Sequence, residues 1–144
     1  MITNPQKNRL ANFLYGKQFD TEEELAEAMN MLSPENYYVG LSSENINEDG
    51  EIENELNGNG YSRIVVPNTS ASFNETIDGV TSNKALVTWD VASAEWTVRA
   101  VFVTYDELTT EAAYVFNFDE AITVPNTATL YFDKEQLELS VSGV

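Results

Sequence analysis

Apolar and polar positions along the chain follow two periods. Up to about residue 36 the apolar positions recur every three to four residues. Leu10, Phe13 and Leu14, then Leu25, Ala28, Met29 and Leu32, are spaced as the faces of two helices. Asn4-Pro5 predicts the first start, with Asn as N-cap and Pro at the first helical position, and Gly16 predicts the end. Thr21 and Glu24 predict a capping box for the second helix, and Glu22, Glu23 and Glu24 sit where the helix dipole favours anions. Ser33-Pro34 stops it. Helices this short need a surface to pack on.

From Tyr37 the period changes to two. Strands are expected at Tyr37–Ser42, Ser62–Val66, Lys84–Trp89, Trp96–Tyr105, Tyr114–Phe118, Ile122–Val124, Ala128–Phe132 and Leu137–Val141. In Trp96–Tyr105, Trp96, Val98, Ala100 and Phe102 should share one face. Thr97, Arg99, Val101, Val103 and Tyr105 should share the other, a mixed face expected near an edge or a subunit contact. Asp78-Gly79, Pro125-Asn126 and Asp133-Lys134 supply turns. The expected class is mainly β: an antiparallel β-sandwich or jelly-roll-like fold with two short N-terminal helices. No repeat or linker divides the chain, so we expect one domain, with a helical lead-in over 1–36 and the β part over 37–144.

The chain has 144 residues, enough for a real core without staples. It has no cysteine and no histidine, which excludes disulfides and thiol chemistry and removes the commonest base and metal ligand. No apolar run approaches a membrane span, and the first residues lack the pattern of a signal peptide, so synthesis in the host cytoplasm is expected. With 24 acids against 7 bases the net charge is -17. Nucleic acid and anionic membrane are therefore not expected as partners. The charge favours solubility, or a basic partner.

The candidate chemistry centres on residues 37–66, where two apolar strands flank a long acidic loop. Glu44–Glu55 carries six carboxylates and no base. Asn45, Asn47, Asp49, Gly50 and Ile52 match the early spacing of an EF-hand loop. Position twelve is Leu56, where a bidentate Glu is required, and Glu55 falls one residue early. The expectation is a solvated loop and no cofactor, with Ca2+ in the Asn45–Glu55 loop as the alternative. Asp49 and Glu51 on this loop, and Tyr61 and Arg63 after it, are the candidate interaction residues. Arg63 is a rare base, expected to pair with an acid or cap carbonyls. Gly58 and Gly60 suit positive φ at a turn into the next strand. Asp90 and Glu95 beside the two tryptophans are the nearest approach to a carboxylate pair, and no nucleophile elbow or phosphate loop occurs, so no enzyme is expected. Trp89 and Trp96 are expected in the core; Tyr37, Tyr105 and Tyr131 are the aromatics least fixed by pattern.

Tyr38-Val39-Gly40-Leu41, the acidic loop, and Gly60-Tyr61-Ser62-Arg63 followed by Ile64-Val65-Val66 resemble the opening of a family of small tailed-bacteriophage virion proteins, usually labelled phage tail fibre proteins. Thr81–Thr88 and Ala92–Val98 are similar to that family's S-N and A-x-x-W blocks, and the strands from Tyr114 to Val141 resemble its last strands. Thr97 stands where the family often has Gly, and Pro125-Asn126-Thr127 replaces its Asn-Ala-Gly-Asp turn. The resemblance implies a virion component with no catalytic residues to carry over, acting by protein–protein packing as a likely-sized repeated copy, that is, a homo-oligomer. Its partners would be other virion proteins, in capsid, neck or tail. Capsid decoration, or a receptor- or glycan-binding module at a tail tip, are the alternatives. The latter needs Tyr or Trp lining a groove.

Overall fold

A computed structural model describes residues 1–16 and 18–141, so the end of the expected β part at 142–144 lies outside the described residues. It is mainly β and antiparallel, with two short helices. Helix α1 (Asn4–Leu14) and helix α2 (Glu22–Leu32) precede eight strands among the described residues. These are β1 (Asn36–Ser42), β2 (Ile64–Pro67), β3 (Val80–Ser82), β4 (Val87–Thr88), β5 (Trp96–Thr104), β6 (Tyr114–Val124), β7 (Tyr131–Phe132) and β8 (Glu138–Ser140). The main sheet has the order β2-β1-β5-β6, and β3-β8 and β4-β7 form two-stranded ribbons.

Several boundaries differ from those the pattern predicts. Tyr114–Phe118 and Ile122–Val124 are one strand, because the polar residues Asp119 and Glu120 between them stay exposed on a continuous backbone. Lys84–Trp89 narrows to Val87–Thr88, Ala128–Phe132 to Tyr131–Phe132 and Leu137–Val141 to Glu138–Ser140. Strand β3 lies where only a turn is expected, since three half-buried residues carry too short a pattern to read.

The larger correction concerns β5. It is a central strand, paired with β1 on one side and β6 on the other, not an edge. Its register with β6 shifts between Val98 and Ala100. Trp96 and Val98 join the large core cluster, but so do Val101 and Val103, whereas Ala100 and Phe102 join a smaller one. The expected grouping of Trp96, Val98, Ala100 and Phe102 on one face therefore breaks at the irregularity, which re-aims the side chains that follow it.

The large cluster joins Val39, Leu41, Val98, Val101 and Val103 of the main sheet to Val87, Trp89, Leu137 and Leu139 of the ribbon segments. The small cluster covers the opposite face with Ile46 and Ile52 of the acidic loop, against Ala100, Phe102, Ala112 and Val115. Each fully buried aliphatic or aromatic side chain contributes roughly 1.5–3 kcal/mol. Trp89 and Trp96 are both buried. Trp96 Nε1 donates to Asn59 O at 2.9 Å, while Trp89 Nε1 is sealed without a partner.

The lead-in is stitched to this sheet. Ile2 bridges Tyr114, and Thr3 N donates to Ala113 O at 2.9 Å. Thr3, not Asn4, is the N-cap of α1, and its hydroxyl donates to Ala112 O at 2.7 Å instead of capping the helix. The apolar stripe of α1 is weakly used: Leu14 is exposed, and the buried residue is Gln6, which donates to Met31 O of α2 at 3.1 Å. In α2, Thr21 Oγ1 accepts from Glu24 N at 3.1 Å, and the Glu24 carboxylate accepts from Asp20 N, one residue before the reciprocal partner of a capping box.

Candidate functional site

The chain leaves the acidic loop through Asn57–Gly60 and enters β2. Gly58, Asn59 and Gly60 all have positive φ, at 74, 55 and 84°. Gly60 is doubly constrained, because a Cβ there would press on Val91 O. This turn presents Tyr61 and then Arg63 to the start of β2.

Arg63 is held on four sides. Its Nε donates to Glu55 Oε2 at 2.9 Å and its Nη2 to Glu55 Oε1 at 2.8 Å, a bidentate pair. The remaining donors reach Asp106 O at 3.0 Å and Thr109 O at 2.8 Å, both on the β5–β6 loop. The guanidinium carbon lies 5.0 Å from the centre of the Phe102 ring. That ring in turn lies over Gly40, its register partner on β1, where any Cβ would overlap it. Tyr61 completes the node. Its hydroxyl donates to Glu55 Oε2 at 2.5 Å and accepts from Leu41 N at 3.0 Å, and its ring meets Trp96 edge-on at 6.0 Å. Burial, and then the bond to Glu55, push the Tyr61 phenol well above its ordinary range. Arg63 thus pairs with an acid and caps carbonyls at once, and its side chain is only 8% exposed.

Asp49 and Glu51 stand at the other end of the loop, both exposed. Asp49 Oδ1 accepts from Asn4 Nδ2 at 3.2 Å, and Glu51 forms a backbone bridge with Glu111. Here the loop is fixed by its backbone. Ile52 N donates to Thr110 O and Ala112 N to Gly50 O, both at 2.8 Å. The Asn117 side chain binds both Ile46 N and Ile46 O, at 2.9 and 2.8 Å. Ile46 and Ile52 point inward, so Glu44, Glu48, Asp49, Glu51 and Glu53 are left outside. Among the described residues no three acidic side chains converge to hold a metal, and Glu55, nearest the required twelfth position, is occupied by Arg63.

A second node of the same composition has no counterpart in the sequence reading. Arg9 Nη2 donates to Glu111 Oε2 at 2.9 Å, Tyr105 Oη donates to the same oxygen at 2.6 Å, and the guanidinium carbon of Arg9 lies 5.5 Å from the centre of the Tyr105 ring. The available signal was scarcity: in a chain with 7 bases, an arginine on a helix otherwise poor in charge asks for a partner. A third fastening, also missed, is buried Asn83. Its amide donates to Ala85 O and Asp133 O, and its carbonyl accepts from Leu137 N, tying the start of β4 to the turn before β8.

A protein-family model described as podophage GP4 fiber I protein gp80 matches residues 12–140. The chain belongs to that family. No curated protein matches it. Membership in the fibre family makes the chain a structural component of a phage virion, which agrees with the resemblance carried by the two blocks around Arg63 and Asn83. Every member of the Arg63 node lies inside the matched range, whereas Arg9 lies outside it.

Proposed function

We propose that the chain acts by packing against other virion proteins, presenting the outer face of the acidic loop, with Asp49 and Glu51, to a partner surface rich in Lys and Arg. The observation that carries this reading is the fibre-family match over residues 12–140, which includes the whole loop. The loop is well suited to the task. Its two ends are fixed by Arg63 and by the pairing with residues 110–112, so little ordering entropy is lost on docking. Its five outward carboxylates carry the complementary charge that sets partner choice and encounter rate. Tyr61 and Arg63 serve the contact by shaping the loop, and no catalytic role is proposed.

Repeated copies in the particle follow from such an arrangement, because a chain of charge -17 repels itself until a basic partner neutralises it. Chemical cross-linking of purified particles followed by mass spectrometry tests the reading. Cross-links from Lys7 or Lys84 to another virion protein are expected. Charge reversal at both Asp49 and Glu51 should lower incorporation of a folded chain into particles. Unchanged incorporation of that variant, or absence of the chain from particles, would overturn the reading.

A further inference from the structure

The largest recess lies away from the acidic loop, between the main sheet and the β3–β8 ribbon, with a volume of about 740 Å³. That is within the usual range of small-ligand sites, roughly 300–1,000 Å³. Tyr37 at the start of β1, Tyr114 at the start of β6 and Phe73 on the β2–β3 loop line it, and Tyr37 meets Phe73 edge-on at 5.7 Å.

Its walls are fixed before any ligand arrives. Phe73 N donates to Thr69 O, Asn74 N to Ser82 O and Lys84 N to Ser72 O. The Thr81 hydroxyl donates to Asn74 O at 2.6 Å, and Asn74 Nδ2 to Ser82 Oγ at 3.0 Å.

Tyr114 is the group that asks for a partner. It is 7% exposed. Its hydroxyl makes no hydrogen bond among the described residues, and burial alone raises its pKa. Yet the only sealed, unpartnered side-chain polar atom among the described residues is Trp89 Nε1. The Tyr114 hydroxyl therefore keeps an opening, and the recess it lines is where that opening lies. The side chains of Thr69, Ser70 and Thr76 on the same walls likewise make no hydrogen bond of their own.

We propose that this groove binds a neutral saccharide, with the Tyr114 hydroxyl as a buried hydrogen-bonding contact and Phe73 as an apolar wall. Charge selects the class. The lining holds one carboxylate, Glu75, and one ammonium, Lys84, so the groove itself is neutral within a chain of charge -17. An anionic ligand would meet a repelling field, and a cationic one finds the carboxylates concentrated elsewhere. What remains on the walls is mainly hydroxyl and amide groups beside aromatic edges, which match a ligand of hydroxyl groups and C–H faces. The inference does not depend on where the chain sits in the particle, nor on the docking of the acidic loop.

The test is NMR of the purified chain against a panel of neutral hexoses, 6-deoxyhexoses and N-acetylhexosamines. At least one should shift the backbone amides of residues 69–76 and 81 saturably. Tyr114→Phe should weaken that sugar about 3- to 10-fold, the loss of one hydrogen bond, at an unchanged melting temperature. Thr76→Val, on the exposed rim, gives a second reading should Tyr114→Phe fold poorly, and it too should weaken binding. The proposal is overturned if no sugar shifts those amides, if shifts map elsewhere, if only a charged peptide shifts them, or if both variants, folded, bind as well as the parent.

Discussion

The Arg63 and Arg9 nodes share one chemistry and differ in how they are assembled. Each joins an arginine to a glutamate, donates a tyrosine hydroxyl to that glutamate and lays the guanidinium over an aromatic ring. Both brace the β5–β6 loop, Arg63 through Asp106 O and Thr109 O, Arg9 through Glu111. The first draws its acid, phenol and base from Glu55, Tyr61 and Arg63, within nine residues of chain. The second draws them from Arg9, Tyr105 and Glu111, on opposite ends of the fold. The local node is drier, with Arg63 8% exposed against 14% for Arg9, and it alone makes a bidentate pair. Identical residue types thus give a structural keystone in one place and a helix fastening in the other. Burial and the number of satisfied donors make the difference.

That ranking is open to direct attack. Arg63→Ala should be the most damaging of the changes considered, at about 3 kcal/mol, because it strands a half-buried carboxylate and two loop carbonyls together. Urea denaturation would measure it, and a loss below that of Arg9→Ala would reverse the order of the nodes. Gly40→Ala should follow at about 2 kcal/mol, since the Phe102 ring between Gly40 and Arg63 cannot yield without moving the guanidinium. A double-mutant cycle with Arg63→Ala should then show the two losses to be less than additive. Arg9→Ala should cost about 1 kcal/mol, the value of a partly exposed pair, and protease sensitivity should rise around α1 before it rises in the sheet.

The smallest effect at neutral pH is the most diagnostic at high pH. Burial first, then the bond to Glu55 or Glu111, raises the pKa of both Tyr61 and Tyr105 from the ordinary 10.0. The folded state then holds phenolic protons that the unfolded chain releases. The stability this gives is complete below pH 10 and is lost as pH rises above it toward the folded values. Denaturation midpoints should therefore fall above pH 10. Tyr61→Phe should flatten that fall more than Tyr105→Phe, because Tyr61 is the more deeply buried phenol.

The two nodes also show what could be read in advance. Arg63 was legible because its partner stands eight residues before it and the glycines between them force a turn, so proximity in sequence implied proximity in space. Arg9 was not, because nothing local relates it to Glu111. The same holds for Asn83, whose three partners come from both sides of a gap of fifty residues. The acidic loop was read correctly as lacking its twelfth ligand. Its real anchor, the interleaved Ile46 and Ile52, was hidden among the carboxylates. In β5 the alternation predicted faces well as far as Val98 and failed beyond it, because period two is a property of an unbroken ladder.

The sequence by itself determined the periods, and through them two helices followed by antiparallel strands. It also determined the glycine-bearing turn that delivers Tyr61 and Arg63, the lack of nucleophile and metal chemistry that His or Cys would bring, and the family to which the signature blocks belong. These are local properties, set by backbone preference and side-chain chemistry within a few residues. Tertiary structure alone decided that β5 is central, that Ile2 and Thr3 bind the helices to β6, that Arg9 and Glu111 meet, and that Tyr114 is left with an open hydroxyl in a groove. Each of these depends on which distant surfaces pack together, a choice made by total burial and by the satisfaction of buried polar groups across the whole chain.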